Sequence, residues 1–300
     1  MLIKNNKIGN DRLKWKSKFT EMTGCKYPII QGAFATFGTH EIAVPVSEAG
    51  GMGVITAIAF RSPEKLREDI QKCKKLTNKP FGVNFSILRE RGYGEDFFDE
   101  MVDIIIDEDV KTVFTSAYKA MKIGQKVKSH GINWFHKVAT MKHALAAERQ
   151  GVDGVTIVGL EGTGYKNPIQ NTTLINMTNA IRQLKIPVIA AGGIGDARGF
   201  LSALTMGAQA VCMGTAFMAC KECPIPDKFK QHKLVDQSAF DEDLHRKIFH
   251  MQLKDSAVPS MAVGVIEKIL TVKEFIDSII NEAETILGNM GFKGDSINFI

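Results

Sequence analysis

Residues 187–215 read PVIAAGGIGDARGFLSALTMGAQAVCMGT, and they repeat one short pattern. A small apolar run ends in glycine at 190–193 (AAGG) and again at 213–215 (MGT). The stretch between them, 196–206, has helical spacing and stops at Gly207, a residue type that commonly ends helices. A strand, a glycine turn, a helix and a second strand in this order predict a βα unit of a parallel sheet.

The same alternation extends through most of the chain. Almost wholly apolar runs are typical of parallel strands covered on both faces, and eight such runs in series favour a closed barrel over an open sheet. We therefore predict a (β/α)8 barrel, a TIM barrel, over residues 19–226. The predicted strands are 27–31, 53–58, 81–85, 112–116, 133–139, 154–159, 187–191 and 210–214, and the predicted helices are 40–49, 63–75, 96–107, 119–129, 141–150, 172–184 and 196–206.

The two ends of the chain lie outside this pattern. Residues 1–18 form a polar N-terminal lead-in without the apolar stretch of a signal peptide or a membrane span. Residues 227–300 are predicted to form a C-terminal helical cap packed on the barrel, with a polar helical part over 227–256 and two helices within 260–290. These helices are equally consistent with a homodimer contact.

The composition indicates an ordinary globular protein. The 300 residues are 44% hydrophobic and 24% charged, with a net charge of +5 and scattered basic residues. Five scattered cysteines argue against a disulfide framework, and the single pair Cys220 and Cys223 lacks the second pair that a metal site needs. We expect a cytoplasmic protein that acts on a small molecule, with no metal, no nucleic acid and no membrane as partner. The mild excess of positive charge indicates either a solvated face or attraction to an anionic substrate.

The glycine-rich ends of the last two predicted strands are candidates for binding phosphate. Glycine lets backbone N–H groups approach a ligand closely, and barrels often bind phosphate after these two strands. The alternative is that the glycines serve only tight turns. The candidate residues are Ala191, Gly192, Gly193, Gly214 and Thr215.

Polar or small residues also stand where other predicted strands end. Asn84 either caps a loop or contacts a ligand. Lys137 either extends outward along its aliphatic stem or faces an electron-rich ligand inside the barrel. Its neighbour His136 should point the other way and pack in the core. The glycine-rich and polar segment 159–168 is the candidate for the substrate side.

Together, several motifs make the chain resemble the nitronate monooxygenase (2-nitropropane dioxygenase) family. Flavin-type enoyl-acyl-carrier-protein reductases and some NADH:quinone reductases share the fold of that family. The motifs are GAF at 32–34, AGGMG at 49–53, KPFGVNF at 79–85, FHKVATMKHALAAERQGVD at 135–153, AAGGIGDARG at 190–199 and MGTAFMACKECPI at 213–225.

This resemblance implies an FMN-bound barrel, with NAD(P)H as an optional electron donor. Carried over residue by residue, it implies that Ala191 and Gly193, together with Gly214 and Thr215, hold the phosphate. It also implies that the remainder of FMN contacts Ala33, Phe34, Ala35, Asn84, Lys137 and Thr163.

The segment after the sixth predicted strand departs from the family pattern. The family reads like GFECAGH there, whereas this chain reads GLEGTGY at 159–165, so Tyr165 stands where the family has its catalytic histidine. An unperturbed tyrosine has a pKa of about 10 and is a poor base, but it can donate a proton or a hydrogen bond. Tyr165 and Lys137 are therefore the predicted catalytic residues.

The resemblance leads to one main functional hypothesis with an alternative. The first is an FMN-dependent oxidoreductase that oxidises alkyl nitronates, which are already deprotonated, with oxygen. The alternative is an NAD(P)H-dependent FMN reductase of an enoyl thioester, enone or quinone. Two further classes are a barrel that binds a sugar phosphate or nucleotide without flavin, and a flavin-binding protein without catalysis.

Overall fold

The protein is described by a computed structural model that covers residues 12–32, 35–164, 169–235 and 259–299. Eight of its strands pair only in parallel and surround a common interior, in the order β2-β9-β8-β7-β6-β5-β4-β3, so the predicted (β/α)8 barrel is confirmed. The strands are β1 (Lys14–Ser17), β2 (Ile29–Gln31), β3 (Gly53–Thr56), β4 (Phe81–Ile87), β5 (Thr112–Ala117), β6 (Asn133–Val138), β7 (Gly154–Val158), β8 (Val188–Ala191), β9 (Ala210–Met213) and β10 (Ser296–Phe299).

Helices follow the barrel strands and cover their outer faces. Some begin with local caps: the Asp196 carboxylate accepts a hydrogen bond from Gly199 N at 2.7 Å. Ser62 precedes the helix that follows β3 but makes no capping hydrogen bond, because its hydroxyl donates to the Glu64 carboxylate instead. The helices are α1 (Lys18–Thr23), α2 (His40–Glu48), α3 (Pro63–Leu76), α4 (Asp99–Asp107), α5 (Met121–Ser129), α6 (Met141–Arg149), α7 (Thr173–Gln183), α8 (Ala197–Thr205), α9 (Thr215–Met218), α10 (Asp227–Lys233) and α11 (Val272–Asn289).

The N-terminal segment, predicted only as a polar lead-in, contains β1 and leads into α1, which covers the lower end of the barrel. Phe19 of α1 is fully buried and lies 5.3 Å, centroid to centroid, from Phe135 of β6. Phe135 in turn stacks on Phe114 at 5.5 Å. These rings fill the interior below the strand midpoints, so open space is left only at the carboxyl ends of the strands.

The C-terminal part packs against the side of the barrel. Residues 260–290 hold one 3-10 turn, Met261–Val265, and the single long helix α11, rather than the two helices predicted. Buried Ile276 and Ile280 of α11 pack into the layer of helices, where α11 contacts α2 and α8. The predicted helical stretch 227–256 is described only to residue 235, where it contains α10.

A second, two-stranded sheet joins distant parts of the chain. Strands β1 and β10 pair in parallel, with Lys14 opposite Ser296. Trp15 packs between Phe200, at 5.1 Å, and Phe299, at 6.0 Å between ring centroids. In the described part of the chain, none of the helices combines the length and the apolar character that crossing a lipid bilayer requires.

One buried side chain completes the seam between the first and second barrel strands. Backbone pairing there is short: Gln31 N donates to Met52 O at 3.0 Å and Met52 N donates to Ile29 O at 2.8 Å. The Gln31 amide then acts like a further peptide group. Its Nε2 donates to Val54 O at 3.0 Å, and its Oε1 accepts from Val54 N at 3.0 Å. A side chain therefore extends the ladder where β2 itself has ended.

Replacing Gln31 should loosen this seam. Gln31→Leu leaves the N–H and C=O of Val54 buried without partners, so we expect the free energy of unfolding to fall by roughly 2 to 4 kcal/mol. Urea denaturation measures this change. Gln71→Leu, which removes an exposed amide that contacts Glu108, is the control and should change stability by about 0.5 kcal/mol or less. Equal stability of the two variants would contradict the role of Gln31.

Candidate active site

A cavity of about 950 Å³ opens at the carboxyl ends of the barrel strands. It is the place where barrel enzymes carry their active sites. Many of the predicted site residues lie together in its wall: Asn84, Lys137, Thr163, Ala191, Gly192, Gly193, Gly214 and Thr215. Ala33, Phe34 and Tyr165 lie outside the described residues, and Ala35 begins a 3-10 turn at Ala35–Phe37, so their roles stay predictions.

The turn after β8 has a backbone that only glycine adopts easily. Gly192 and Gly193 have φ angles of 101° and 74°, in the left-handed region. A Cβ at Gly192 would also lie 3.0 Å from Gly162 N, in the loop after β7. The two glycines therefore let neighbouring loops pack closely and turn the backbone toward the cavity.

Gly214, at the end of β9, differs from these two glycines. Its φ is −99°, which any residue adopts, and a Cβ built on it would meet no atom within 4 Å. Neither conformation nor packing of the protein requires glycine here. The missing side chain leaves free space in the cavity, which suits a ligand that approaches the backbone closely.

Backbone donors surround this space. Among the described residues, the N–H groups of Gly193, Gly214 and Thr215 donate no hydrogen bond within the protein. Unpaired N–H groups that converge on one concavity bind anionic oxygens such as those of a phosphate. The donor set therefore fits a phosphate group.

Ser260 completes this side of the cavity from a distant part of the chain. Ser260 N donates to Thr215 Oγ1 at 2.9 Å, and the Ser260 hydroxyl accepts from Ala262 N at 3.3 Å. With its oxygen occupied by this bond, the Thr215 hydroxyl keeps its own hydrogen for donation toward the cavity. The sequence contains no motif that links Ser260 to the site.

A small polar network lies on the inner face of β4 and β5. Asn84 Nδ2 donates to Ser86 Oγ at 2.9 Å, and Ser116 Oγ donates to the same oxygen at 3.1 Å. All three side chains line the cavity. The network holds the Asn84 amide in one orientation, so it presents a fixed polar surface to a flat ligand.

Lys137 points into the barrel. It lies on the same face of β6 as Phe135, and among the described residues its ammonium group has no hydrogen-bond or ion-pair partner. Burial lowers the pKa of Lys137 from its ordinary value, and neighbouring Cys212 opposes part of this shift. The side chain is half-buried and lines the cavity. A buried amine without a partner favours an electron-rich or anionic ligand, because such a ligand stabilises its charged form.

Cys212 is a second residue that the sequence analysis missed. It lies in β9, lines the cavity and is close enough to Lys137 for the two groups to affect each other's pKa. Burial raises the pKa of the Cys212 thiol, so it is neutral at physiological pH. Cysteine inside an apolar strand carries no signal that separates a packing residue from a site residue.

The loop after β7 positions the substrate side of the cavity. Glu161 does not point at a ligand: its Oε2 accepts from Thr173 N at 2.8 Å and from Thr173 Oγ1 at 3.0 Å, which caps α7. Thr163 lines the cavity and precedes the undescribed residues 165–168. Glu161 is therefore a positioning residue for this loop.

The charged side chains among the described residues that line the cavity are basic. Among the described residues that line it, none is aspartate or glutamate, and five are lysine or arginine: Arg61, Arg89, Arg91, Lys119 and Lys137. The arginines come from the loops after β3 and β4, which the sequence did not single out. Such a cavity attracts anions and raises their local concentration.

The fold and these features define the class. The protein is a (β/α)8 barrel in which the free N–H groups of Gly193, Gly214 and Thr215 form an anion-binding site, here called the anion cradle. The cavity around the anion cradle is lined by basic side chains. The chain belongs to the nitronate monooxygenase family, whose model matches residues 16–96 and 88–250. The resemblance seen in the motifs is thereby confirmed.

Individual relatives carry different names. A (3aS,4S,5R,7aS)-5-hydroxy-7a-methyl-1-oxo-octahydro-1H-indene-4-carboxyl-CoA dehydrogenase from Rhodococcus jostii is 30% identical over 78% of this chain, which spans only 63% of that relative's length. A probable nitronate monooxygenase from Staphylococcus saprophyticus is 28% identical over 73% of this chain and 72% of its own. The structure of FabK from Thermotoga maritima matches with a TM-score of 0.80 at 28% identity, covering 92% of this chain and 98% of that one.

On the outer face of β6, His136 packs away from the barrel interior, as predicted, with 6% of its surface exposed. Its Nδ1 lies 2.7 Å from Thr115 Oγ1. Burial lowers the pKa of His136 to about 4, with a smaller contribution from His143. The ring is therefore neutral in the folded protein at physiological pH.

The lowered pKa of His136 predicts a loss of stability in mild acid. Between the unfolded pKa of about 6.5 and the folded value of about 4, only the unfolded chain binds the proton, so stability falls as the pH falls. From about pH 7.5 to about pH 5 this group should cost roughly 2 kcal/mol. Urea denaturation of His136→Gln should show a smaller pH dependence by this amount. The exposed His130→Gln should keep the wild-type dependence, and an unchanged His136→Gln would refute the assignment.

Proposed function

We propose that this protein is an FMN-dependent oxidoreductase that oxidises alkyl nitronates, or a similar small carbanionic substrate, with oxygen. The observation that carries the proposal is the cationic cavity without lining carboxylates among the described residues. Both FMN, through its phosphate, and a nitronate are anions, so both are favoured there. The volume of about 950 Å³ lies at the upper end of the range for ligand pockets, which suits a cofactor and a small substrate together.

The cofactor would be held from two sides. The free N–H groups of Gly193, Gly214 and Thr215 fit its phosphate, and Asn84 with Lys137 fits its ring. Bound FMN supplies the electron acceptor that oxidation of an organic substrate requires. Contacts at the edges of the cofactor would come from Thr163, Ala191 and Gly192. The family resemblance implies further contacts from Ala33, Phe34 and Ala35.

Lys137 gives the cavity a charge that depends on its ligand. Because burial lowers its pKa, the ammonium form is costly in the empty cavity and is stabilised when negative charge lies beside it. The residue would therefore favour states of the bound molecules that carry negative charge.

A nitronate also suits the shortage of bases in the cavity. No carboxylate lines it among the described residues, and Tyr165 replaces the histidine of the family pattern. A substrate that is already deprotonated needs no general base. In this proposal Tyr165 donates a hydrogen bond to the substrate rather than removing a proton.

The second candidate is NAD(P)H-dependent reduction of an enoyl thioester, enone or quinone. Two observations favour it. The relative from Rhodococcus jostii is named for a carboxyl-CoA substrate, and Arg61, Arg89 and Arg91 would suit the phosphates of such a carrier or of NAD(P)H. A tyrosine donor is also better suited to protonating a carbanion than to creating one.

Stopped-flow absorbance separates the two candidates. We expect propane-2-nitronate to reduce the bound flavin anaerobically and oxygen to reoxidise it faster than an enoyl thioester does. If NADH or NADPH reduces the flavin and only the thioester reoxidises it, the second candidate is correct. Buffer containing nitronate and free FMN is the control for the reaction without protein.

Filling the space at Gly214 tests where the cofactor binds. Gly214→Val should fold normally, because a Cβ meets no neighbour, and should weaken FMN binding by roughly tenfold or more. Fluorescence titration of the apoprotein with FMN measures the affinity. Gly94→Val is the matched control, since a Cβ there also meets nothing and the residue does not line the cavity. Equal FMN affinity of both variants would place the phosphate elsewhere.

A further inference from the structure

The cavity continues beyond the barrel mouth, over the ends of β5 and β6, to the outer side of these strands. We call this extension the side cleft. Its floor is formed by Thr115 and His136, and its wall is one face of α6. The residues of that face recur at helical spacing and are His143, Ala146, Ala147 and Gln150.

Small residues explain why the side cleft stays open. Near the start of β6, the Trp134 indole fills the gap between β6 and α5, where a Cβ at Gly124 would lie only 2.3 Å from the ring. Closer to the carboxyl end of β6, the smaller ring of His136 takes this place, and α6 presents Ala146 and Ala147 toward it. The result is a space walled by two alanines and lined by the polar side chains of Thr115, His136, His143 and Gln150.

A chain of hydrogen bonds fixes the His136 ring. Trp134 Nε1 donates to Thr115 Oγ1 at 2.7 Å, so the threonine oxygen acts as an acceptor there. The Thr115 oxygen also lies 2.7 Å from His136 Nδ1, and the Thr115 hydroxyl reaches Phe135 O at 3.5 Å. Thr115 therefore engages Nδ1 in either tautomer of the ring, as an acceptor or as a donor.

This chain leaves the second ring nitrogen, Nε2, for another partner. A neutral imidazole has one N–H, so Nε2 is a donor when Nδ1 accepts from Thr115 and an acceptor when Nδ1 donates to it. Among the described residues, Nε2 has no hydrogen-bond partner, although the ring is 6% exposed and lines the cleft. The protein therefore presents an uncharged imidazole nitrogen without a described partner to the side cleft.

We propose that the side cleft binds an uncharged, linear tail of the substrate, and that an amide group in this tail, which can both donate and accept, forms a hydrogen bond with His136 Nε2. The inference rests on the proposed function and names the substrate class: a nitronate or similar carbanion that carries an amide-bearing chain. The reactive end lies at Lys137 and the tail passes over the ends of β5 and β6. Ala146 and Ala147 of α6 pack against the methylene groups.

Paired nitronates test the recognition of the amide. One series carries a terminal acetamide at increasing linker length, and the other is the straight-chain nitronate of equal length. Binding to the anaerobic FMN holoenzyme is followed by the change in flavin absorbance, and turnover gives KM and kcat separately. We expect one linker length of the acetamide series to bind roughly three- to tenfold more tightly than its straight-chain partner, the effect of one neutral hydrogen bond.

Variants locate the contact. His136→Leu should abolish the preference for the acetamide in KM while leaving kcat unchanged, and His136→Gln, which keeps an N–H donor, should restore part of it. Ala146→Phe should fill the side cleft and exclude both long probes while propane-2-nitronate still reacts. Arg149→Phe, on an exposed part of the same helix, is the control and should behave like the wild type.

The outcomes separate this inference from the proposed function. A preference that persists in His136→Leu, or long probes that bind equally well to Ala146→Phe, would overturn the side cleft alone. A wild-type protein that holds no flavin, or whose flavin no nitronate reduces, would overturn the proposed function and this inference with it.

Discussion

The structure depends on the closed seam between the first and second barrel strands. Backbone pairing there is limited, and the amide of one glutamine, Gln31, supplies the next pair of hydrogen bonds to Val54. The closure also brings Gly32 against Gly214, so that a Cβ added at Gly32 would lie 3.1 Å from Gly214 Cα. The anion cradle at the end of β9 is therefore built beside the first strand only because the barrel closes.

The chemistry of the cavity follows from what the protein leaves unpaired. Backbone N–H groups at Gly193 and Gly214, and the ammonium of Lys137, are donors without acceptors in the described structure. Buried donors without partners are costly, and a ligand that supplies acceptors recovers that cost. The unpaired donors lower the stability of the protein without ligand, and the same donors raise its affinity for an anionic molecule.

Much of this arrangement could be predicted from the sequence, because strands and helices leave periodic signals. The eight barrel strands were found within a few residues, and the glycines of 190–193 pointed to the cavity because parallel strands end at one edge. Strand β1 was missed because it has four residues, two of them exposed lysines, and its partner β10 lies near the other end of the sequence. Cys212 and Ser260 were missed because neither residue type is diagnostic of a ligand contact.

The pairing of β1 with β10 has a consequence for how the chain is made. During synthesis β1 leaves the ribosome before the barrel strands, whereas its partner strand and the Phe299 ring that covers Trp15 emerge only after these strands have been translated. Until then the edge of β1 and one face of Trp15 lack their native cover. The β1–β10 pair and the Phe299–Trp15 contact can therefore form only after the barrel strands have been translated, which makes this second sheet a late step in folding.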